Sequence, residues 1–422
     1  MNSRERLQRA VEHKEADAVP LDIGSTPVSG IAASTLSKLR RVLGLDGPGD
    51  RVKVNEPYQM LGEVTDDLRE ALGIDTVGLN KPTTLFGFRN ENWKEWKLFD
   101  GTPVLVPVKF NTQPEENGDI LMYPEGDTSA QPSGRMPEDG YYFDTIVRQP
   151  PINEEDLDPA DNLEEFGPVT DADLEYLADE SKRLYEQTDY AIVGNFGDTG
   201  FGDIALVPAP WMKNPKGIRD IEEWYISTLT RRDYVYEVFE GQCDIALENL
   251  ERIAQVVGDR VQVYMVSGTD FGTQRGPFIS VDTYCDLYKP FHVEVNDWVH
   301  ENTSWSTFIH SCGGVEPLID EFIDAGFDVL NPVQCSAQDM EPEHLKSEYG
   351  EEICFWGGGI DTQKTLPFGK PEEVKAEVLR RLEIFAPGGG FVFNTIHNIQ
   401  PNTPPENLIA MFEALEEFNG EG

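Results

Sequence analysis

The 422-residue chain carries 77 acidic residues against 34 basic ones, which gives a formal net charge of -43. A surface this acidic repels nucleic acid and anionic lipid, because both present phosphate groups, so we expect neither as a partner. With 39% hydrophobic and 26% charged residues, the composition is that of a folded globular protein and excludes a disordered or fibrous chain.

The acidic residues are dispersed, for example over residues 154–158 and 171–179 and at Glu351 and Glu416. This dispersal favours a solvated surface adapted to a salty cytosol over the alternative of a dedicated acidic tail. Five cysteines, an odd number, do not indicate a disulfide framework, and no apolar signal segment begins the chain. No run approaches the roughly 18 apolar residues of a membrane helix. We therefore expect a reduced, cytoplasmic protein without a membrane span.

Eight short runs of β-branched and apolar residues follow one another along the chain. Most are continuously apolar, which is typical of parallel strands buried on both faces. The predicted strands are residues 19–24, 74–79, 190–197, 261–267, 307–311, 329–334, 353–357 and 391–397.

Amphipathic stretches separate these runs. Ser280 begins one over residues 284–300, and Pro371 begins another over residues 374–385. No GxGxxG segment follows the first strand, as an open dinucleotide-binding sheet would require. The eight βα repeats therefore predict an α/β fold of the (β/α)8 barrel type.

Residues 84–167 interrupt the alternation of strands and helices, because they are rich in proline, glycine, aspartate and aromatic residues and carry no convincing helix. We interpret them as a β-rich insertion after strand 2 of a single barrel domain that spans residues 1–422. In a barrel this insertion emerges on the active-site face, where it would form a lid or a subunit contact. A surface decoration fits the sequence equally well.

Catalytic side chains of a barrel lie at the C-terminal ends of its strands, so the polar residues just after each run are the candidates. Along the chain they are Asp22, Asn195, Asp270, Gln274, His310, Cys312, Gln334, Asp361 and His397. Asp270, Gln274 and Asp22 are candidate catalytic residues. A carboxylate at a strand end can accept a proton, and a polar side chain there can bind a polar group of the substrate. The alternative for Asp270 is a loop-stabilising Asx turn. Asn195, Gln334 and Asp361 are candidates for binding substrate.

His310-Ser311-Cys312 is the most specific local pattern for a functional site. Residues i and i+2 of a strand point the same way, so an imidazole and a thiolate can hold one ion between them. A catalytic zinc site takes three protein ligands, and His397 after the last strand is the candidate that completes the set. The alternative is a buried histidine beside a small hydrophobic cysteine.

Several segments together resemble the uroporphyrinogen decarboxylase superfamily. They are His310-Ser311-Cys312-Gly313-Gly314, residues 326–334, Gly358-Gly359-Ile360-Asp361, residues 387–390, and His397-Asn398-Ile399-Gln400-Pro401. The resemblance is dense from residue 261 to residue 414 and thinner upstream. It implies a (β/α)8 fold and a choice between two activities: porphyrinogen decarboxylation, and zinc-dependent methyl transfer that serves corrinoid proteins or thiols.

The first strand end distinguishes these two branches. The decarboxylases grip a macrocycle with many carboxylates through an arginine-rich loop after strand 1. Here residues 21–27 read Leu-Asp-Ile-Gly-Ser-Thr-Pro and contain no arginine. The resemblance therefore implies the methyltransferase branch, which places zinc on His-x-Cys after strand 5 and on a cysteine after strand 8.

The chain matches the first two of those ligands as His310 and Cys312 and departs at the third, where His397 replaces the cysteine. Imidazole also binds zinc, so a site with two histidines and one cysteine is implied. In this branch a strand 6 residue often supplies an oxygen ligand. Gln334 lies near that position, and strand alternation then directs Cys335 outward.

From this resemblance we expect Zn²⁺ as cofactor and methyl transfer between a thiol and either a corrinoid protein or a small methylated compound. No DxHxxG corrinoid-binding segment occurs in the chain, so a corrinoid would arrive on a partner protein. Two alternatives stay open. One is a metal-free decarboxylase or lyase that acts on a small carboxylated substrate through Asp22 or Asp270, and the other is a non-catalytic binding barrel.

Overall fold

The computed structural model describes residues 1–420. Its strands are β1 (Val52–Glu56), β2 (Leu61–Gly62), β3 (Thr76–Asn80), β4 (Lys94–Lys97), β5 (Pro103–Val106), β6 (Thr112–Pro114), β7 (Ile120–Met122), β8 (Gly134–Met136), β9 (Asp144–Thr145), β10 (Ala191–Asn195), β11 (Val263–Ser267), β12 (Gly272–Thr273), β13 (Gly276–Pro277), β14 (Ser306–His310), β15 (Val329–Asn331), β16 (Cys354–Trp356) and β17 (Phe391–Val392).

The α-helices are α1 (Ser3–Val11), α2 (Ala33–Val42), α3 (Asp66–Leu72), α4 (Asp171–Gln187), α5 (Ile221–Thr230), α6 (Arg232–Val257), α7 (Val281–Leu287), α8 (Lys289–Asn302), α9 (Ile319–Asp324), α10 (Pro342–Tyr349), α11 (Thr365–Phe368), α12 (Pro371–Phe385) and α13 (Pro405–Gly420). Short 3-10 helices lie at Pro124–Gly126, Pro159–Asn162, Gly258–Arg260 and Glu316–Leu318. Among the described residues, no helix combines the length and the apolar composition that crossing a membrane requires.

A parallel sheet of seven strands forms the centre of the described chain, in the order β3-β10-β11-β14-β15-β16-β17. Each of these strands overlaps one of the predicted strands 2 to 8, and helices connect them. The strands lie in the sheet in the same order as in the chain. A (β/α)8 barrel has this order, whereas the strand order of a doubly wound sheet reverses partway. The predicted fold class is confirmed.

The first predicted strand is reduced to a single parallel bridge between Leu21 and Phe393. It still closes the barrel, because the backbone N–H of Asp22 donates to Phe393 O at 3.0 Å and the N–H of Asp75 donates to Leu21 O at 2.8 Å. Pro20 brings no N–H to the ladder, and the chain turns away at Gly24, which has a φ of +83°. These two residues limit the strand to its central position.

The interior of the barrel is a separate apolar cluster, to which alternate residues of the strands contribute, among them Val263, Met265, Phe308 and Trp356. Leu7 of α1 also belongs to this cluster. Since Phe308 points inward, His310 two residues later on β14 points inward as well. The sheet thus directs His310 toward the barrel axis at the C-terminal end of the strand.

The predicted helix over residues 284–300 is two helices, α7 and α8, which meet at Tyr288. Pro290 lies in the first turn of α8, where a missing N–H costs no helical hydrogen bond, so the second helix begins there. The predicted helix over residues 374–385 corresponds to α12. Glu373 fixes its start by accepting the N–H of Lys370 at 2.8 Å.

The insertion after β3 is β-rich, as predicted. It contains the antiparallel sheet β6-β7-β8-β9, and β4 and β5 join a second sheet with the order β2-β1-β5-β4. Strands β1 and β2, which precede barrel strand β3 in the chain, were not predicted from the sequence. Strand β1 pairs in parallel with β5, so the insertion is anchored to the segment before it.

Candidate metal and active site

His310 ends β14 and is 2% exposed. Its Nδ1 lies 2.5 Å from Asn331 Oδ1, and Asn331 Nδ2 donates to Trp356 O at 2.7 Å, which fixes the orientation of the Asn331 amide. Since Asn331 presents its oxygen, His310 carries its proton on Nδ1. Nε2 therefore keeps a free lone pair that points toward Cys312.

Cys312 lies just beyond the strand, and its Sγ is 3.4 Å from His310 Nε2. The backbone N–H of Cys312 donates to Asp270 Oδ1 at 2.7 Å, and the same oxygen lies 3.7 Å from His310 Nε2. Burial, together with the Asp270 carboxylate, raises the pKa of the Cys312 thiol. A bound cation would reverse this effect, because a thiol that coordinates a metal ion gives up its proton.

His397 reaches the same place from the loop after β17, in an unusual backbone conformation with a φ of +73°. Hydrogen bonds hold this conformation: Ile396 N donates to Ile360 O at 3.1 Å, and Thr395 Oγ1 donates to His397 O at 2.6 Å. Burial and the neighbouring His310 lower the pKa of His397 to about 3. A neutral imidazole with an available lone pair is the form that ligates a metal.

The three side chains converge on one point. One ligand atom from each of His310, Cys312 and His397 lies within 4.8 Å of the other two. Ligand bonds of about 2.0–2.3 Å in a tetrahedral zinc site place ligand atoms about 3.5 Å apart, which is close to the separation of His310 Nε2 and Cys312 Sγ. The donor set of two imidazoles and one thiol fits zinc and leaves a fourth position for another ligand.

Of the other predicted site residues, Asp270 lies closest to this cluster. Gln334 is also adjacent, because its Oε1 accepts the N–H of Gly313 at 2.8 Å, one residue after Cys312. Its neighbour Cys335 donates instead to Val333 O and packs with the outer core. Asn195 lies at the end of β10, where its Nδ2 donates to Asn80 Oδ1 at 3.3 Å.

Three predicted residues lie apart from the cluster. Gln274 occupies the exposed turn between β12 and β13. The buried carboxylate of Asp22 accepts Thr76 Oγ1 at 2.5 Å and Trp356 Nε1 at 2.9 Å. Asp361 accepts the backbone N–H groups of the two-residue turn that leads into α11. Asp22 thus stabilises a strand end and Asp361 the turn before α11, and catalytic or binding roles for these three residues stay predictions.

The sequence model of the family described as "Uroporphyrinogen decarboxylase (URO-D)" matches residues 145–418, which is more than half of the chain. The protein belongs to the uroporphyrinogen decarboxylase family. The match includes barrel strands β10 to β17 and all three residues of the cluster, and it confirms the family resemblance of the sequence.

Two curated relatives of this URO-D family protein are named uroporphyrinogen decarboxylase. The one from Methylococcus capsulatus is 40% identical over 183 residues, covering 41% of this chain and 48% of the relative, and the one from Geobacter metallireducens is 24% identical, covering 60% and 68%. The chain thus spans about half the length of the Methylococcus relative. A solved methyltransferase from Methanosarcina mazei has 17% identity, a TM-score of 0.54 and 99% coverage of both chains, which shows a shared fold.

Asn331 is the site residue of this URO-D family protein that the sequence analysis did not single out. It pairs directly with His310 in the register of β14 and β15, so its amide reaches the His310 ring across the sheet. The polar residue opposite His310 could have been found only with the strand register known. Asn331 orients the ring and fixes its tautomer, as hydrogen-bond partners of metal-binding histidines commonly do.

Replacing Asn331 with alanine should weaken zinc binding about 10- to 100-fold, because His310 loses the acceptor that keeps its proton on Nδ1. Competition with a chromogenic chelator measures the affinity. Asn302→Ala, at an exposed helix end, serves as the matched control and should bind zinc like the wild type. Equal affinities of the two variants would contradict the orienting role of Asn331.

Proposed function

We propose that this URO-D family protein is a zinc-dependent methyltransferase that moves a methyl group between a thiol and either a corrinoid carried by a partner protein or a small methylated compound. The observation that carries the proposal is the convergence of His310 Nε2, Cys312 Sγ and a ring nitrogen of His397 on one point. Zinc bound there would lower the pKa of an incoming thiol and so supply a nucleophile at neutral pH.

The residues around the cluster prepare it for this chemistry. Asn331 leaves the His310 lone pair free, and Asp270 and Gln334 hold the backbone of the turn at Cys312 and Gly313. These contacts fix the donors before a ligand arrives, so little reorganisation is needed on binding. The methyl donor would approach from the open C-terminal end of the barrel.

The test is transfer of an isotopically labelled methyl group from methylcobalamin to 2-mercaptoethanol, with the methyl thioether detected by mass spectrometry. Zinc-loaded protein should form the thioether, and protein treated with a chelator should regain activity when zinc is added back. Failure of the zinc-loaded protein to methylate thiols from methylcobalamin or small methylated compounds would contradict the proposal.

A decarboxylase is the second candidate, and it is supported by the names of the curated relatives. Residues 21–27, at the end of the first predicted strand, argue against it. Asp22 is buried and hydrogen-bonded there, and the segment supplies no cation to bind a macrocycle's carboxylates. Release of carbon dioxide from uroporphyrinogen distinguishes the two activities. We expect none.

A further inference from the structure

The geometry points to Asp203 as the residue that accepts the proton of the incoming thiol. This inference rests on the proposed function. In this step the S–H bond breaks, the electron pair stays on sulfur, and the proton forms an O–H bond with the Asp203 carboxylate. The proton then passes to water, so the carboxylate is regenerated for the next thiol. Asp203 is not among the site residues predicted from the sequence.

The loop after β10 brings Asp203 to the mouth of the barrel. Its Oδ1 accepts the N–H of Ala205 at 2.8 Å, which fixes the carboxylate. Its Oδ2 faces Gly268, just after β11, so closely that a Cβ atom there would lie 2.8 Å from Oδ2 and 3.2 Å from Met265 Cε. Met265 belongs to the barrel interior. The carboxylate therefore faces inward at the same end of the barrel as His310.

The surroundings of Asp203 give its carboxylate a proton affinity suited to this step. Burial raises the pKa of Asp203 to about 7, and the nearby Asp270 carboxylate contributes to the rise. Tyr225 also lies next to Asp203 and Asp270, and its hydroxyl donates to the backbone oxygen of Asp270 at 2.9 Å. No lysine or arginine within residues 1–420 forms an ion pair with Asp203 that would hold it ionised. A group that titrates near neutral pH can both take up and release a proton there.

A small cavity borders Asp203. Its volume is about 20 Å³, and its lining combines the polar residues Asp203, Asn162, Glu165 and Gln242 with apolar ones such as Leu206 and Phe239. This volume accommodates about one water molecule, which the polar residues can bind. A water molecule there would accept the proton from Asp203.

Calorimetric titration of the zinc-loaded protein with 2-mercaptoethanol, in buffers of different ionisation enthalpy, counts the protons released on thiol binding. At about pH 7.5 the wild type should release less than the full thiol proton, because Asp203 retains part of it. Asp203→Asn should release all of it and should lower kcat/KM for methyl transfer about 10²-fold. Asp259→Asn, which removes one charge at an exposed position before β11, should behave like the wild type.

Equal proton release by the wild type and Asp203→Asn, with thiol bound by both, would overturn the role of Asp203 and leave the proposed function standing. Absence of thiol binding to the zinc-loaded wild type would overturn both. If Asp203→Asn does not fold, Asp203→Ser provides the same comparison.

A second readout needs neither metal nor turnover. With a pKa of about 7 in the folded state, above the ordinary value of 3.8, Asp203 stays protonated in the folded protein over a range where the unfolded chain ionises. Unfolding then releases a proton, so this group makes stability fall as the pH rises from about 4 to 7. The Tm of Asp203→Asn relative to wild type should therefore increase over this range. Parallel curves would contradict the inference.

Discussion

Replacing Cys312 with serine is expected to abolish stoichiometric zinc binding and to lower kcat/KM for thiol methylation by more than about 10²-fold. Cys312 supplies the one thiol of the cluster, and a serine hydroxyl is a far weaker zinc ligand than a thiolate. Loss of a direct ligand should exceed the roughly 10- to 100-fold effect of losing a supporting hydrogen bond. Elemental analysis of the purified variant and the methylcobalamin assay measure the two effects.

Cys285→Ser is the matched control for this substitution. Cys285 lies on α7, outside the barrel, so the same change of sulfur to oxygen should leave zinc content and activity at wild-type values. His397→Ala should lose zinc as Cys312→Ser does. Full zinc occupancy in both Cys312→Ser and His397→Ala would refute the ligand assignment.

Replacing Arg219 with methionine should destabilise the fold by about 3–5 kcal/mol, the cost of removing one partner from a buried ion pair. Arg219 is 0% exposed, and its two terminal nitrogens donate to Glu165 at 2.6 and 2.7 Å. It also donates to Asp161 O at 3.0 Å and to Lys216 O at 2.5 Å. Without the guanidinium, Glu165 and both carbonyl groups lose their donor.

Denaturant unfolding of the zinc-free protein measures this loss. Arg380→Met serves as the control, because the pair of Arg380 and Glu343 is largely exposed and its loss should change the stability little. The double variant Arg219→Met/Glu165→Leu should recover part of the stability, since it leaves no unpaired charge. A loss in Arg219→Met no larger than in Arg380→Met would contradict the importance of the buried pair.

Much of the barrel could be predicted from sequence because continuous apolar runs mark strands that are buried on both faces. Strands 2 to 8 follow from this pattern alone. The first strand was predicted too long, because Pro20 and Gly24 limit its pairing to one bridge, between Leu21 and the distant Phe393. Strands β1 and β2 were missed for a related reason. They form a sheet with β5 and β4 of the insertion, and no local sequence pattern predicts pairing between segments so far apart in the chain.

The candidate site was predictable where chain geometry suffices. Alternation along β14 places His310 inward with Cys312 two residues later, and both lie where the sequence analysis expected them. The expectation that site residues follow the strands also gave Asp22 and Asp361. It does not predict which groups a side chain will form hydrogen bonds with. Both carboxylates accept hydrogen bonds from neighbouring structural groups. Asn331 and Asp203 act across strands and loops, so their positions required the folded structure.

X-ray absorption at the zinc edge tests the central claim most directly, because it counts the atoms bound to the metal. For zinc-loaded wild-type protein we predict one sulfur at about 2.3 Å and two imidazole nitrogens at about 2.0–2.1 Å, from Cys312, His310 and His397. Addition of 2-mercaptoethanol should bring a second sulfur into the shell. A protein that binds no zinc, or a zinc shell without sulfur, would contradict the account.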